Sequence, residues 1–183
     1  MTVNASKRTW CASSTTAELV VYEHPRASVE IDAPIEVVWR VMVETESYAA
    51  WNPFVVWAET AQPAAVGNPI VLHVTWANGG RSRSPERISA LEPPVVGEDG
   101  VAAAYLAYVY EGWPARLGLV RGVRHQRLTQ QPGGPTRYET VEEFSGPLVG
   151  LAGPERVADG FRRHAAALKM RAETLVNESG LDH

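Results

Sequence analysis

His125 and Glu142 are the pair in this chain best suited by type and spacing to move a proton. Residues 119–130 and 136–144 read as two strands, and Pro132-Gly133-Gly134-Pro135 between them reads as a turn. With the turn centred between Gly133 and Gly134, opposed residues carry numbers that sum to 267. His125 then faces Glu142, Val123 faces Phe144 and Arg127 faces Thr140. Opposed residues share one side of a sheet, with Cβ atoms about 4.5–5.5 Å apart. A carboxylate beside an imidazole favours the imidazolium and holds the ring in one orientation. That is the equipment of a general acid/base pair for aldol, dehydration or enolisation chemistry. The alternative is a polar cross-strand pair facing solvent, or one buried for structure. A register slip of one residue would put the two side chains on opposite faces.

Other side chains are candidates to orient a ligand. Tyr105, Tyr108 and Tyr110 sit on a strand over 101–110, and tyrosine hydroxyls can hold a carbonyl or a phenol. Wall packing is the competing role. Arg87 either projects inward as a partner for an anion or carbonyl, or faces water as strand charges usually do. Trp51 and Trp76 suit a core or a pocket wall rather than chemistry. His73 alternates away from Leu72 and Trp76, which favours a solvated face. His164 falls three residues after Phe161, at the margin of an apolar stripe, where a capping or surface role is expected.

Several chemistries lack their residues. There is no HExxH and no paired CxxC, so neither a protein metal site nor a cofactor is expected. Gly133-Gly134 leads into a strand and not the helix that a phosphate-binding loop needs. No GxSxG elbow occurs. Cys11 is the only cysteine, which leaves no intrachain disulfide and a poor nucleophile in a Ser/Thr-rich leader. Any catalysis should rest on acid/base groups and on the shape of their enclosure.

The elements that must carry these residues are legible from periodicity. Residues 27–31 alternate as a strand, and Ile35, Val38, Trp39 and Met42 form one apolar helical stripe after Pro34. Tyr48, Trp51 and Pro53 crowd a second short helical turn. Further strands are expected over 55–59, 70–76 and, more weakly, 83–91, ended by Pro93-Pro94. A strand over 18–24 is a further option. The longest helix opens at Gly153-Pro154 and runs to about Val176, with Val157, Phe161, Ala165, Leu168, Ala172 and Leu175 on one stripe. About seven antiparallel strands, two short early helices and one long terminal helix make an α+β arrangement. Residues 1–16 are expected to be a flexible leader, 17–178 one domain and 179–183 a tail.

Bulk composition narrows the partners. The 183 residues are 45% hydrophobic and 21% charged, with a net charge of −4. One domain with a sizeable core is the natural size. The acidic balance argues mildly against nucleic acid or an anionic membrane as main partner, though a local basic patch remains compatible with it. No apolar run approaches a membrane span, and no signal-type apolar core follows Lys7 and Arg8. A cytoplasmic protein is expected.

The pattern IxAPIEVVW followed by YxxWNP resembles the opening of the START/SRPBCC superfamily, the helix-grip fold that includes polyketide cyclases. The stretch HxRxTxQPGGPTRYETVEEFSGPL resembles that superfamily's late hairpin, and FRRHAAALKMRAE its terminal helix. Arg127 stands where an aromatic or aliphatic residue is common in that pattern. The resemblance spans roughly residues 27–176. It implies a curved sheet gripping the long helix over an apolar cavity, with His125 and Glu142 facing inward. It implies a hydrophobic, polyketide-like small molecule as ligand, met by Tyr108, Tyr110, Arg87, Trp51, Trp76, Phe144 and Phe161, and promotion of its cyclisation or dehydration. The same fold also hosts carriers and regulatory interaction domains, so a non-catalytic binding protein is the alternative.

Overall fold

The computed structural model describes residues 24–180. The expected leader, the optional strand over 18–24 (His24 apart), Cys11 and the last three residues lie outside them. Seven strands form one antiparallel sheet in the order β1-β7-β6-β5-β4-β3-β2. They are β1 Arg26–Ile31, β2 Val55–Thr60, β3 Pro69–Thr75, β4 Arg81–Val96, β5 Ala102–Tyr110, β6 Arg121–Gln130 and β7 Thr136–Ser145. Between β1 and β2 come α1 Ile35–Val43 and α2 Tyr48–Trp51; α3 Trp113–Arg116 follows β5, and α4 Pro154–Gly180 is the last element among the described residues. The α+β helix-grip arrangement holds, with α4 running four residues beyond its expected end at Val176.

The grip follows from the stripe on α4. Phe161, Ala165, Leu168 and Ala172 are all buried against the inner face of the sheet. Burying such side chains is worth about 25 cal/mol per Å² of apolar surface removed from water. Polar ties fix the far half of the helix. Lys169 Nζ donates to Glu30 O at 2.8 Å and to Glu173 Oε1 at 2.6 Å, and Asp32 N donates to Glu173 Oε1 at 2.8 Å. Pro34 is the cap of α1 rather than its first residue, and Gln130 Oε1 accepts from the orphan amide of Ile35 at 3.1 Å.

Two expectations fail in the sheet. β4 runs through Pro93 and Pro94 to Val96. Those prolines lie beyond the reach of β3, whose pairing stops at Arg87, and sit at an irregularity between Glu92 and Val95 in the β5 ladder. Their missing N–H groups therefore interrupt nothing. The second failure concerns the β6–β7 hairpin. Its partners sum to 266: Gln130 faces Thr136, Arg124 faces Glu142 and His125 faces Val141. The loop holds five residues, 131–135, so it centres on Gly133 and not between the glycines. Gly133 takes φ +69°, and Gly134 N donates to Gln131 O at 3.0 Å.

Candidate active site

That one-residue difference decides which side chains point inward. In β6 the even positions Gly122, Arg124, Gln126 and Leu128 are buried on the α4 side; the odd positions face out. In β7 the even positions Tyr138, Thr140, Glu142 and Phe144 share that inner side. Glu142 therefore faces the interior and His125 does not, so the expected His125–Glu142 pair is not formed. His125 stacks on Tyr105 on the outer face, with Nδ1 2.5 Å from the Tyr105 hydroxyl and Nε2 3.7 Å from Glu143 Oε1.

Inside, the sheet and the first turns of α4 enclose a cavity of about 430 Å³. Its walls are mainly apolar: Phe54, Leu72, Val74, Trp76, Phe144 and Phe161 contribute, with Trp113, Leu119, Leu148 and Leu151 toward the rim. Tyr110, Glu86, Glu142 and Arg124 bring polar groups to the inner wall, and Ser82, Arg83 and Ser84 add others along β4. The ladders place them in two rows. Ile88, Tyr108, Arg124 and Glu142 are successive partners across β4–β7; Glu86 and Tyr110 pair one step along, beside Gly122 and Phe144.

Arg124 is the anchor of the site. It is only 4% exposed, yet its charge is housed on all sides. Nε donates to Thr140 Oγ1 at 3.2 Å and Nη2 to the Tyr138 hydroxyl at 3.4 Å. Tyr138 in turn donates to Gln126 Oε1 at 2.9 Å. The guanidinium also lies 4.4 Å from the centroid of the Phe161 ring, a cation–π contact across the sheet–helix boundary. Burial alone would ease off its proton, but Tyr138, Glu142 and Glu86 hold its pKa above the usual arginine value.

The two carboxyls meet a different environment. Both are partly exposed, but their inner wall is the apolar cavity rather than open solvent. Burial pushes the Glu142 pKa up, the Glu86 charge pushes it further and Arg124 opposes both. Burial likewise raises Glu86, against Ser84 and Arg124. Two carboxyls that repel each other beside one fixed cation hold their protons to higher pH than free carboxyls do, and they titrate as a pair. Gly122 makes room for this. A side chain there would overlap Glu142 Oε1 and press on Phe144, so Glu142 leans across bare backbone.

The remaining expected residues divide. Trp76, Tyr110, Phe144 and Phe161 line the cavity. Tyr108 is buried on the same face beside Arg124, behind the wall, and burial raises its hydroxyl pKa well above normal. Arg87 is a correction: it lies on the outer face and pairs with Glu111, because β4 alternation sends Glu86 inward instead. Trp51 is another, packed 5.6 Å from the His164 ring and outside the cavity wall. His164 is no surface residue. It is 1% exposed, with Nδ1 2.8 Å from Asn52 Nδ2, while Asn52 Oδ1 accepts from the amides of Phe54 and Val55. Burial and the Arg124 charge hold its pKa well below the usual imidazole value. The Asn-Pro of WNP thus ties α2 to α4.

Arg124 and Glu86 went unnoticed in the sequence. The signal was the alternation of Tyr138, Thr140, Glu142 and Phe144, which fixes the inner face of β7 and, through a five-residue loop, that of β6. Among the described residues no cluster of three or more His, Cys, Asp or Glu side chains could hold a metal ion. Among them, too, no helix is long and apolar enough to cross a membrane.

Comparison with known proteins agrees with this geometry. Residues 23–173 match the model of the family described as polyketide cyclase / dehydrase and lipid transport. The chain belongs to that family. No curated protein matches its sequence. Among solved structures, this cyclase/dehydrase-family chain is similar to the Zhui aromatase/cyclase from Streptomyces sp. R1128, at 19% identity over 84% of this chain and 95% of that one, TM-score 0.57. A START superfamily protein from Mycobacterium smegmatis is similar at 15% identity, 84% and 99% coverage, TM-score 0.57. A STAR-related lipid transfer protein from Xanthomonas axonopodis is similar at 16% identity, 80% and 84% coverage, TM-score 0.56. At these identities the shared property is the fold.

Proposed function

We propose that this chain binds an apolar, ketone-bearing small molecule in its cavity and promotes cyclisation or dehydration through Glu142, Glu86 and Arg124. The observation that carries the proposal is a carboxyl pair and a buried, hydrogen-bonded guanidinium on the inner wall of a mainly apolar cavity. The Zhui aromatase/cyclase, whose fold this chain shares, lends support to that reaction class. The ionised member of the Glu86–Glu142 pair removes a proton from carbon next to a carbonyl, and the C–H electron pair becomes the enolate. Arg124, charged at every working pH, stabilises the oxygen on which that charge develops. For dehydration, the protonated member gives its proton to the β-hydroxyl, the C–O bond breaks and water leaves. The proton then passes between the two carboxyls, and the pair is reset. Carboxyls raised toward neutrality are efficient in both directions. His125 has no part in this.

Enolisation can be read without the natural substrate. In D2O, 1-tetralone should exchange its α-hydrogens faster with the protein than in buffer, and Glu142→Gln should slow the protein-dependent rate about 10²–10⁴-fold. An unchanged rate in Glu142→Gln overturns the catalytic reading. A carrier is the second reading. It is favoured by the internal satisfaction of Arg124, whose bonds to Thr140 and Tyr138 make structural sense without any substrate. Saturable binding of 1-tetralone with no accelerated exchange would select it.

A further inference from the structure

The rim of the cavity has a composition that the cavity itself does not need. Trp113 is 69% exposed, Leu117 65% and Leu151 77%. With Leu148 they come from two short segments, α3 with its following residue and the turn at Val149–Ala152. Those segments are tied side by side, since Leu148 N donates to Leu119 O at 3.0 Å. Trp113, Leu148 and Leu151 also line the cavity, so the patch is continuous with its apolar interior. Exposed large apolar side chains grouped at one opening mark an interaction site.

Three arginines flank this patch along the chain. Arg116 ends α3, Arg121 begins β6 with its guanidinium near Gly118, and Arg156 lies 5.1 Å over the Trp76 ring of the cavity wall. Among the described residues none of the three enters an ion pair. No Asp or Glu occurs between Glu111 and Glu139 in the sequence, and Glu155 is the one acidic residue next to the second segment. A chain with a net charge of −4 thus gathers unpaired cations around its apolar opening. A tryptophan and leucines that protrude, flanked along the chain by arginines, are the composition of an interfacial membrane anchor. Side chains this exposed project outward, as insertion into a soft interface requires; a groove for a partner's side chains would shelter them.

We propose that this rim docks the protein reversibly on anionic lipid bilayers, so that apolar ligands pass between the membrane interface and the cavity without crossing water. The full chain would be tested by flotation with phosphatidylcholine vesicles and with equimolar phosphatidylcholine–phosphatidylglycerol vesicles. Binding to the anionic vesicles, weakened by added salt, is expected, with little on the neutral ones. Trp113→Ser combined with Leu151→Ser, and separately Arg116→Glu combined with Arg121→Glu, should each lower partitioning about tenfold or more. Melting temperatures of both double variants show that they are folded, since all four sites are exposed. Equal binding to both vesicle types, full binding by either double variant, or no vesicle binding by folded protein would overturn the proposal. The last result would point to an acidic protein as the partner of this rim. The assay reads the surface alone and stands apart from whether the cavity catalyses anything.

Discussion

Glu142 leans over Gly122, whose lack of a side chain is what gives the carboxyl its place. The obstruction that a methyl group would create is soft on one side, the end of a glutamate, and stiffer on the other, where Phe144 Cε1 would be 3.2 Å away. Gly122→Ala should therefore fold while moving the carboxyl off its position. A displacement near 1 Å lowers rates about 10²-fold in well-positioned sites. Deuteration of 1-tetralone should fall on that scale, with saturable binding of the ketone retained. Wild-type exchange in Gly122→Ala would show that the position of Glu142 is immaterial.

The carboxyl pair gives stability a definite pH dependence. Folding raises Glu142 from 4.5 to about 8 and Glu86 to about 7, so the native state holds more protons than the unfolded chain in between. Stability from these groups is present below pH 4.5 and declines as pH rises through 7 to 8. Glu142→Gln, which is always neutral, should flatten that decline. Melting temperatures of the two proteins from pH 5 to pH 9 check it: the variant should gain on the wild type as pH rises, and a constant difference would contradict the raised pair.

His164 acts with the opposite sign. Its pKa is depressed from 6.5 in the fold, so its neutral form contributes stability above that value, which is lost as pH falls below it. The NMR shifts of its ring protons should stay flat between pH 5 and 8. Asn52→Asp should restore a titration there, because a carboxylate 2.8 Å from Nδ1 favours the imidazolium.

Phe161→Ala and Leu168→Ala should each cost about 2–5 kcal/mol in urea unfolding, the usual range for emptying a core position. Both side chains are fully buried under the sheet. Phe161→Ala carries a second effect that Leu168→Ala lacks, since it strips the aromatic face from Arg124. Only the former should alter ketone exchange.

His125→Ala should leave ketone exchange unchanged, because the ring lies across the sheet from the cavity. A large loss of rate would place the chemistry on the outer face and end the present assignment.

Strands, the terminal helix and its stripe were all legible from periodicity, because burial on one face imposes it directly. The face of β6 was not. Gly122, Arg124, Gln126 and Leu128 on one side read no more apolar than Val123, His125, Arg127 and Thr129 on the other. The hairpin loop had to decide, and a five-residue loop with Gly133 in the left-handed region differs from a four-residue one by a single position. In a structure of period two that single position exchanges His125 for Arg124. Arg87, a candidate for the inner face, faces out because nothing in the alternation of Ser84, Glu86 and Ile88 against Pro85, Arg87 and Ser89 marks an apolar side.

The long helix is held differently at its two ends. Leu168 and Ala172 with the Lys169 and Glu173 ties lock its far half to β1, whereas Val157 and Phe161 border open volume. Cohesion dominates the far part and ligand contact the first turns, with Arg163 and His164 fastening the helix between them to Pro53, Thr75 and Asn52. Substitutions at Val74, Leu119 or Leu151 can remodel what fits inside while the clamp at the opposite end is untouched. Such a scaffold is well placed to acquire new ligand shapes by gradual change, and laboratory selection confined to the cavity end should explore many variants before the fold itself gives way.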